Sequence, residues 1–345
     1  MSGKGVYSYK NGNKYDGDWE KNNKEGQGKF TYADGDIYIG EFKNDEMSGQ
    51  GIYAFENGDI YEGDLINDKR AGQGTLVFSN GDIYVGEFEN NEMSGQGIYT
   101  FKNEDTYVGD FINDKMTGQG TLNYSNGDKY IGGWKNGKME GQGIYTYKNG
   151  DTYDGEFLNG MKNGQGSYIL TDGNKYVGEW KNDTKDGQGK LTFGNGEKYV
   201  GGFNNNKISG QGIYTFKNGD TYDGNWKKDK RDGQGTLIYS NGDKYIGEWK
   251  NDQKNGQGID ITFFGDQYEG DYKNGKMEGK GIFISSIGDK YEGDWENDKM
   301  NGNGTLIYSD GNKYEGDFKD DYLHGNGTFQ YANGSLYDGA WKNNK

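Results

Sequence analysis

Gly3-Lys4-Gly5-Val6-Tyr7-Ser8-Tyr9-Lys10-Asn11-Gly12-Asn13-Lys14-Tyr15-Asp16-Gly17-Asp18-Trp19 reads as two short alternating runs around an Asn-Gly dipeptide. Side chains in a strand point alternately to opposite faces. Gly3, Gly5, Tyr7 and Tyr9 therefore share one side of a first strand, and Tyr15, Gly17 and Trp19 one side of a second. Asn-Gly between two such runs is a strong hairpin signal. Parity sets the loop length: Tyr9 and Tyr15 share a face only across an odd number of residues, Lys10-Asn11-Gly12, with Gly12 left-handed.

The same unit returns without interruption. Tyr-x-Gly recurs at Tyr15, Tyr38, Tyr61, Tyr84, Tyr107, Tyr130, Tyr153, Tyr176, Tyr199, Tyr222, Tyr245, Tyr268, Tyr291, Tyr314 and Tyr337, each 23 residues from the next. The units begin at Gly3, Gly26, Gly49, Gly72, Gly95, Gly118, Gly141, Gly164, Gly187, Gly210, Gly233, Gly256, Gly279, Gly302 and Gly325. Residues 1–345 read as a single repeat array, with no stretch left over for a catalytic domain or a targeting signal. The expected fold is all-β: an elongated, single-layer antiparallel meander of fifteen hairpins, forming a twisted ribbon about 140 Å long and about 25 Å wide.

Within that meander, the link to the second repeat is expected around Asn22-Asn23-Lys24-Glu25. The register would place Trp19 opposite Gly28, Gly17 opposite Phe30 and Tyr15 opposite Tyr32, so that rings lie over bare backbone. Asn103-Glu104 replaces Asn-Gly in the fifth repeat and is expected to strain its turn by about 1 kcal/mol.

Composition narrows the function classes. Sixty-five glycines and no proline would suggest a disordered chain, but thirty tyrosines at fixed phase supply burial that such chains lack. A formal charge of −16 opposes binding to nucleic acid and weakens attraction to anionic lipid. No apolar run is long enough to span a bilayer, and the first residues carry no signal-peptide core. An intracellular location is expected. The absence of cysteine removes disulfides and thiolate chemistry.

Gly212-Ile213-Tyr214-Thr215-Phe216-Lys217-Asn218-Gly219-Asp220-Thr221-Tyr222-Asp223-Gly224-Asn225-Trp226 resembles the membrane occupation and recognition nexus, or MORN, repeat. So does Gly235-Thr236-Leu237-Ile238-Tyr239-Ser240-Asn241-Gly242-Asp243-Lys244-Tyr245-Ile246-Gly247-Glu248-Trp249, and the resemblance covers the whole chain. Similar proteins are β-ribbon scaffolds: radial-spoke components of cilia, organisers of the parasite cytoskeleton that dimerise through their repeats, and junction proteins facing membranes. The resemblance thus implies a non-enzymatic scaffold without cofactors. Its location would be the cytoplasm and cytoskeleton, most concretely the axoneme of a cilium or flagellum. Its partners would be other cytoskeletal or axonemal proteins, or a second copy of the chain. Two other readings stay open: a membrane-associated phospholipid-binding organiser, and a small-ligand or peptide binder that uses the aromatic groove.

Catalytic and metal motifs read weakly. Gly-x-Gly pairs precede strands here, whereas a phosphate cradle needs a helix N-terminus. His324 is the only histidine, next to a glycine at a loop-like position, and no triad or metal cluster can be built around it. Carboxylates two apart, such as Asp16/Asp18, Glu62/Asp64, Glu269/Asp271, Glu292/Asp294 and Glu315/Asp317, could suggest a calcium ladder. Lys14, Lys290 and Lys313 beside them point instead to a solvated face with cross-strand charge pairs.

More informative are the places where outward positions become apolar. One stripe holds Ile37, Ile39, Ile60, Ile83 and Val85; a second holds Ile261 and Ile284. At the twelfth and thirteenth repeats, Phe263-Phe264-Gly265 and Ser286-Ile287-Gly288 replace polar hairpin tips, while Asp260, Thr262 and Ser285 occupy normally apolar positions. Either the strand slips by one residue through a bulge, or Phe263, Phe264 and Ile287 form a docking patch. Tyr15, Gly17 and Trp19, repeated as Tyr245, Gly247 and Trp249, carry the structural motif.

Overall fold

The computed structural model describes residues 1–345 and contains thirty strands, from Gly3–Ser8 to Leu336–Trp341, with no helix. They fall into two compact units, Met1–Thr171 and Asp172–Lys345. In each unit, fifteen consecutive strands pair antiparallel with their sequence neighbours in one meandering layer. Apart from the six-residue strands at the two ends, each repeat contributes a strand of nine residues, such as Asn23–Thr31, and one of seven, such as Ile37–Lys43.

Two kinds of turn join the strands, and each follows from its residues. At the first hairpin the Tyr9 amide donates to the Asn13 carbonyl at 2.8 Å and the Gly12 amide to the Tyr9 carbonyl at 3.1 Å. This closes the three-residue loop Lys10-Asn11-Gly12, and Gly12 takes φ +95°, as parity demanded. The link between repeats is a two-residue turn in which both residues have positive φ: Lys21 and Asn22 at 47° and 71°, Asn44 and Asp45 at 50° and 73°. Its position corrects the sequence expectation, because Asn23, Lys24 and Glu25 lie in the next strand. Asn and Asp tolerate this mirror-image turn because their short polar side chains are the least penalised there, and Gly because it has no Cβ.

Register is corrected too. Tyr15 pairs with Phe30, Gly17 with Gly28 and Trp19 with Lys24, so glycine faces glycine. Between Gly17 and Trp19 the partner strand carries two extra residues, a bulge that recurs in the following repeats. The expected nesting survives on the diagonal. A Cβ on Gly17 would lie 2.5 Å from the Tyr15 hydroxyl, and one on Gly28 would lie 2.4 Å from the Tyr15 ring. The glycine pair is therefore the seat of the ring.

Seated this way, Tyr15 is fully buried, and so is its counterpart in nearly every repeat. Its hydroxyl donates to the Asp18 carbonyl at 2.8 Å, which satisfies the one polar atom that burial would otherwise penalise. The ring meets Trp19 edge-on at 5.1 Å and Phe42 of the next repeat at 5.0 Å, so each tyrosine ties two repeats together. Tyr337, in the last strand, is 44% exposed, because the next strand supplies half of this shell elsewhere.

Candidate functional site

Three columns of side chains follow from the repeat. Along one edge a carboxylate, or an asparagine at Asn13, Asn174 and Asn312, reaches from the hairpin tip to the following repeat: Asp82 accepts from the Lys102 amide and the Tyr99 hydroxyl, both at 2.8 Å. Asp128 does the same with the Lys148 amide and Tyr145, and the first of these bonds is the main reason its carboxyl is held below the ordinary value of 3.8. Along the other edge the turn aspartates reach back: Asp45 accepts from the Lys24 amide at 2.8 Å and Asp68 from the Met47 amide at 2.7 Å.

The third column went unread in the sequence. Lys24, Met47, Arg70, Met93, Met116, Met139, Lys162, Lys185, Ile208, Arg231, Lys254, Met277, Met300 and Leu323 stand nine residues after successive Tyr-x-Gly tyrosines. The cations of this column lie over the rings of an aromatic groove. The Lys24 ammonium sits 4.7 Å from the Phe30 centroid, and the Arg231 guanidinium 4.1 Å from that of Trp249. Burial pushes the Lys24 and Arg70 pKa values down, opposed by the charges of nearby aspartates. The signal that would have found the column is the repeat phase itself, which alternation alone obscures because a methionine and a lysine read as opposite faces.

The groove floor is not uniform. In the first unit Phe55, Phe78, Phe101, Met93 and Arg70 line a cavity of about 590 Å³. In the second, Asp260 stands where neighbouring repeats place an aromatic or leucine, and the strand has not slipped: Asp260 pairs with Tyr245 and Tyr268 in the regular register. Its carboxylate turns into the groove, meets the Lys254 ammonium at 2.5 Å and accepts from the Tyr272 hydroxyl. Burial, then this bond to Asp260, raises the Tyr272 pKa.

The tips are as apolar and as bare as their residues suggest: Phe263, Phe264 and Ile287 are 69%, 81% and 72% exposed. Outward stripes are in register. Ile39 pairs with Ile52 and Val85 with Ile98, with Glu62 and Thr75 between the two pairs in one row, while Ile60, Val77 and Ile83 pair in succession in the other, on the solvent face of the first unit. Ile37 pairs with Ala54 at the margin of that face and is half-buried. In the second unit Ile284 is exposed and Ile261 half-buried, the two separated by Gln267, which pairs with Ile284.

The paired carboxylates separate into two roles. Asp18, Asp64, Asp271, Asp294 and Asp317 accept backbone amides of the bulge, as in Asp294 to Asn303 at 3.0 Å. Glu292 and Glu315 pair with Lys290 and Lys313 of their own strands at 2.9 and 2.8 Å, so these charge pairs run along a strand and not across strands as expected. His324 lies within the strand Tyr322–Gln330, which corrects its placement in a loop.

Solved structures give only distant likenesses. The TCP domain of SAS-4 (dCPAP) from Drosophila melanogaster, in complex with a proline-rich motif of Ana2, is 13% identical, with 51% of this chain and 90% of that chain covered, at a TM-score of 0.30. The TCP10 domain of CPAP from Danio rerio, with a STIL peptide, is 11% identical over 88% and 99% of the two chains at 0.26. No curated protein matches the chain. The MORN repeat model, in contrast, matches fifteen segments, 1–14, then every 23 residues from 15–37 to 222–244, then 245–259, 268–290, 291–313 and 314–336. With the seated tyrosines and the two turn types recurring at that same period, this chain belongs to the MORN-repeat family.

Proposed function

We propose that the protein is a non-enzymatic scaffold of the cytoplasm and cytoskeleton, a radial-spoke-like component of a ciliary or flagellar axoneme that assembles other proteins along its repeats. The observation that carries this reading is the set of exposed apolar pairs Ile39–Ile52, Ile60–Val77 and Val85–Ile98 on one face, with an open aromatic groove on the other. Single-layer sheets bury their rings between neighbouring repeats, so both faces stay open for contact with large partners. A partner segment laid along the groove is the second reading, supported by the cavity lined by Phe55, Phe78 and Phe101.

The test is recovery of bound proteins from a native ciliated-cell extract, identified by mass spectrometry, beside sedimentation with anionic liposomes at physiological salt. The reading expects axonemal or other cytoskeletal proteins in the first and a clean supernatant in the second. Retention on the liposomes without protein partners would replace it with the membrane reading.

A further inference from the structure

Two adjacent hairpin tips have been rebuilt as a set. In an ordinary repeat the turn asparagine serves the following aspartate twice: Asn80 Oδ1 accepts from the Asp82 amide at 2.8 Å, and Asn80 Nδ2 donates to Asp82 Oδ2 at 2.9 Å. In some repeats a tyrosine adds a second donor, as the Tyr99 hydroxyl does to the same Oδ2 at 2.8 Å, while others carry leucine there, as at Leu76 and Leu122. At the twelfth and thirteenth repeats Phe264 and Ile287 take the asparagine position, and Phe283 and Leu306 stand where that tyrosine would be. The turns are nevertheless intact. Thr262 Oγ1 and Ser285 Oγ accept from the Asp266 and Asp289 amides, both at 3.0 Å, and so replace the missing asparagine oxygens.

That replacement preserves the hairpin and changes what its edge offers. Asp266 and Asp289 still accept the Ser286 and Ser309 amides through Oδ1, both at 2.7 Å. Their Oδ2 atoms have lost both donors found at Asp82. Nearby ammonium groups are committed elsewhere: Lys290 to Glu292, Lys313 to Glu315 and Lys254 to Asp260. Asp266 faces a cavity of about 570 Å³ floored by Tyr268, Phe283, Trp295, Met277 and Met300. Thr262, at the foot of the first tip, lines the same cavity, and beyond it Phe263 and Phe264 stand bare, their rings edge to face at 5.5 Å, with Ile287 bare on the next tip. The only residues between 1 and 336 that the family model leaves unmatched are 260–267, the segment that carries this change.

We propose that these tips and the groove behind them dock a partner polypeptide segment that carries arginine or lysine beside large apolar side chains. The apolar groups pack on Phe263, Phe264 and Ile287, and the cation reaches Oδ2 of Asp266 or Asp289 over the aromatic floor, where carboxylate and ring faces both favour positive charge. The chain's charge of −16 adds long-range attraction of the same sign. The inference rests on the protein-binding reading and names the chemistry of the partner.

A display library of random dodecapeptides, selected on the full-length protein, tests it. The expected result is a consensus of Leu, Phe or Trp flanked by Arg or Lys, with anisotropy titrations of a labelled consensus peptide weakened about tenfold or more by Phe263→Lys with Phe264→Asn, by Ile287→Asn, and by Asp266→Asn with Asp289→Asn. Circular dichroism should show each variant folded, since the tip replacements are the residues other repeats use. Enriched peptides that bind these variants as tightly as wild type, or that lack basic residues, overturn the site while leaving the scaffold reading in place. A library that yields nothing on the wild type overturns the docking site, while recovery of partners from the extract decides the scaffold reading separately.

Discussion

Each tyrosine of the Tyr-x-Gly triplet is held by atoms that a single methyl would displace. At Gly40 an added Cβ would lie 2.3 Å from the Tyr38 hydroxyl and 2.6 Å from the Gly51 backbone, and neither can yield without moving the ring or the paired strand. Gly40→Ala should therefore lower stability by about 1–3 kcal/mol in a denaturant titration, with no change in the exposed surface rows. Glu104 supplies the opposite test. It holds φ 70° in a turn whose hydrogen bond to Phe101 is intact at 2.9 Å, so Glu104→Gly should raise stability by about 1 kcal/mol. Burial, followed by the neighbouring Asp18 and Asp64 charges, lifts Tyr15 and Tyr61 to about 12 from the ordinary 10.0. A raised phenol favours the folded state below pH 10 and loses that contribution as pH rises through 12. An absorbance titration of tyrosinate should thus leave the seated rings un-ionised at pH 11 while the protein stays folded. Full ionisation of all tyrosines near pH 10 with native circular dichroism would contradict the seating.

Elements are tied to one another by side chains as much as by the strand ladders. Asp82 holds the Lys102 amide and Tyr99, and burial, which raises its pKa, is outweighed by these bonds, so the carboxyl titrates below 3.8. A depressed carboxyl stabilises the fold above its unfolded value and loses that effect as pH falls through the folded one. Thermal melting should then drop steeply below about pH 4, and Asp82→Ala should remove part of that acid dependence at a cost of about 1–3 kcal/mol. Lys254 and Asp260 form a pair inside the groove at positions that the next repeat fills with Met277 and Phe283. Lys254→Met alone strands the Asp260 charge and should destabilise by roughly 1–3 kcal/mol, whereas Lys254→Met with Asp260→Tyr should recover wild-type stability or exceed it. Urea midpoints of the three proteins decide between these outcomes.

How much of this was legible in the sequence differs from element to element. The odd loop around Asn11-Gly12 followed from parity, and the nesting of Tyr15 over glycine followed from the triplet. The link at Lys21-Asn22 is expected too late in the chain because the first repeat carries Lys-Asn there, and the Asn-Asp and Asn-Gly pairs that mark it in later repeats, which favour positive φ, were not used to place it. The register failed for a related reason: simple alternation assumes one residue opposite one, and the bulge beside Gly17 adds two. Asp260 stands out in the sequence as a break in the core phase, but its pairing with Lys254, six residues away in the same strand and across that bulge, is not marked by any local motif.

At the scale of the whole chain, fifteen near-copies of one unit make stability a sum of repeat and neighbour terms, and they place function wherever a repeat departs from the others. The exposed rows of the first unit and the rebuilt tips of the second are those departures. Both cost the fold little, because the seated tyrosine, the bulge carboxylate and the edge aspartates are kept beneath them. The most direct test of the seated ring as the repeated source of order is hydrogen exchange of the intact protein followed by mass spectrometry. Slowly exchanging amides should recur every 23 residues, in the strands that carry Tyr-x-Gly and the glycine pairs beneath it. Protection gathered into one block, without that period, would contradict the account.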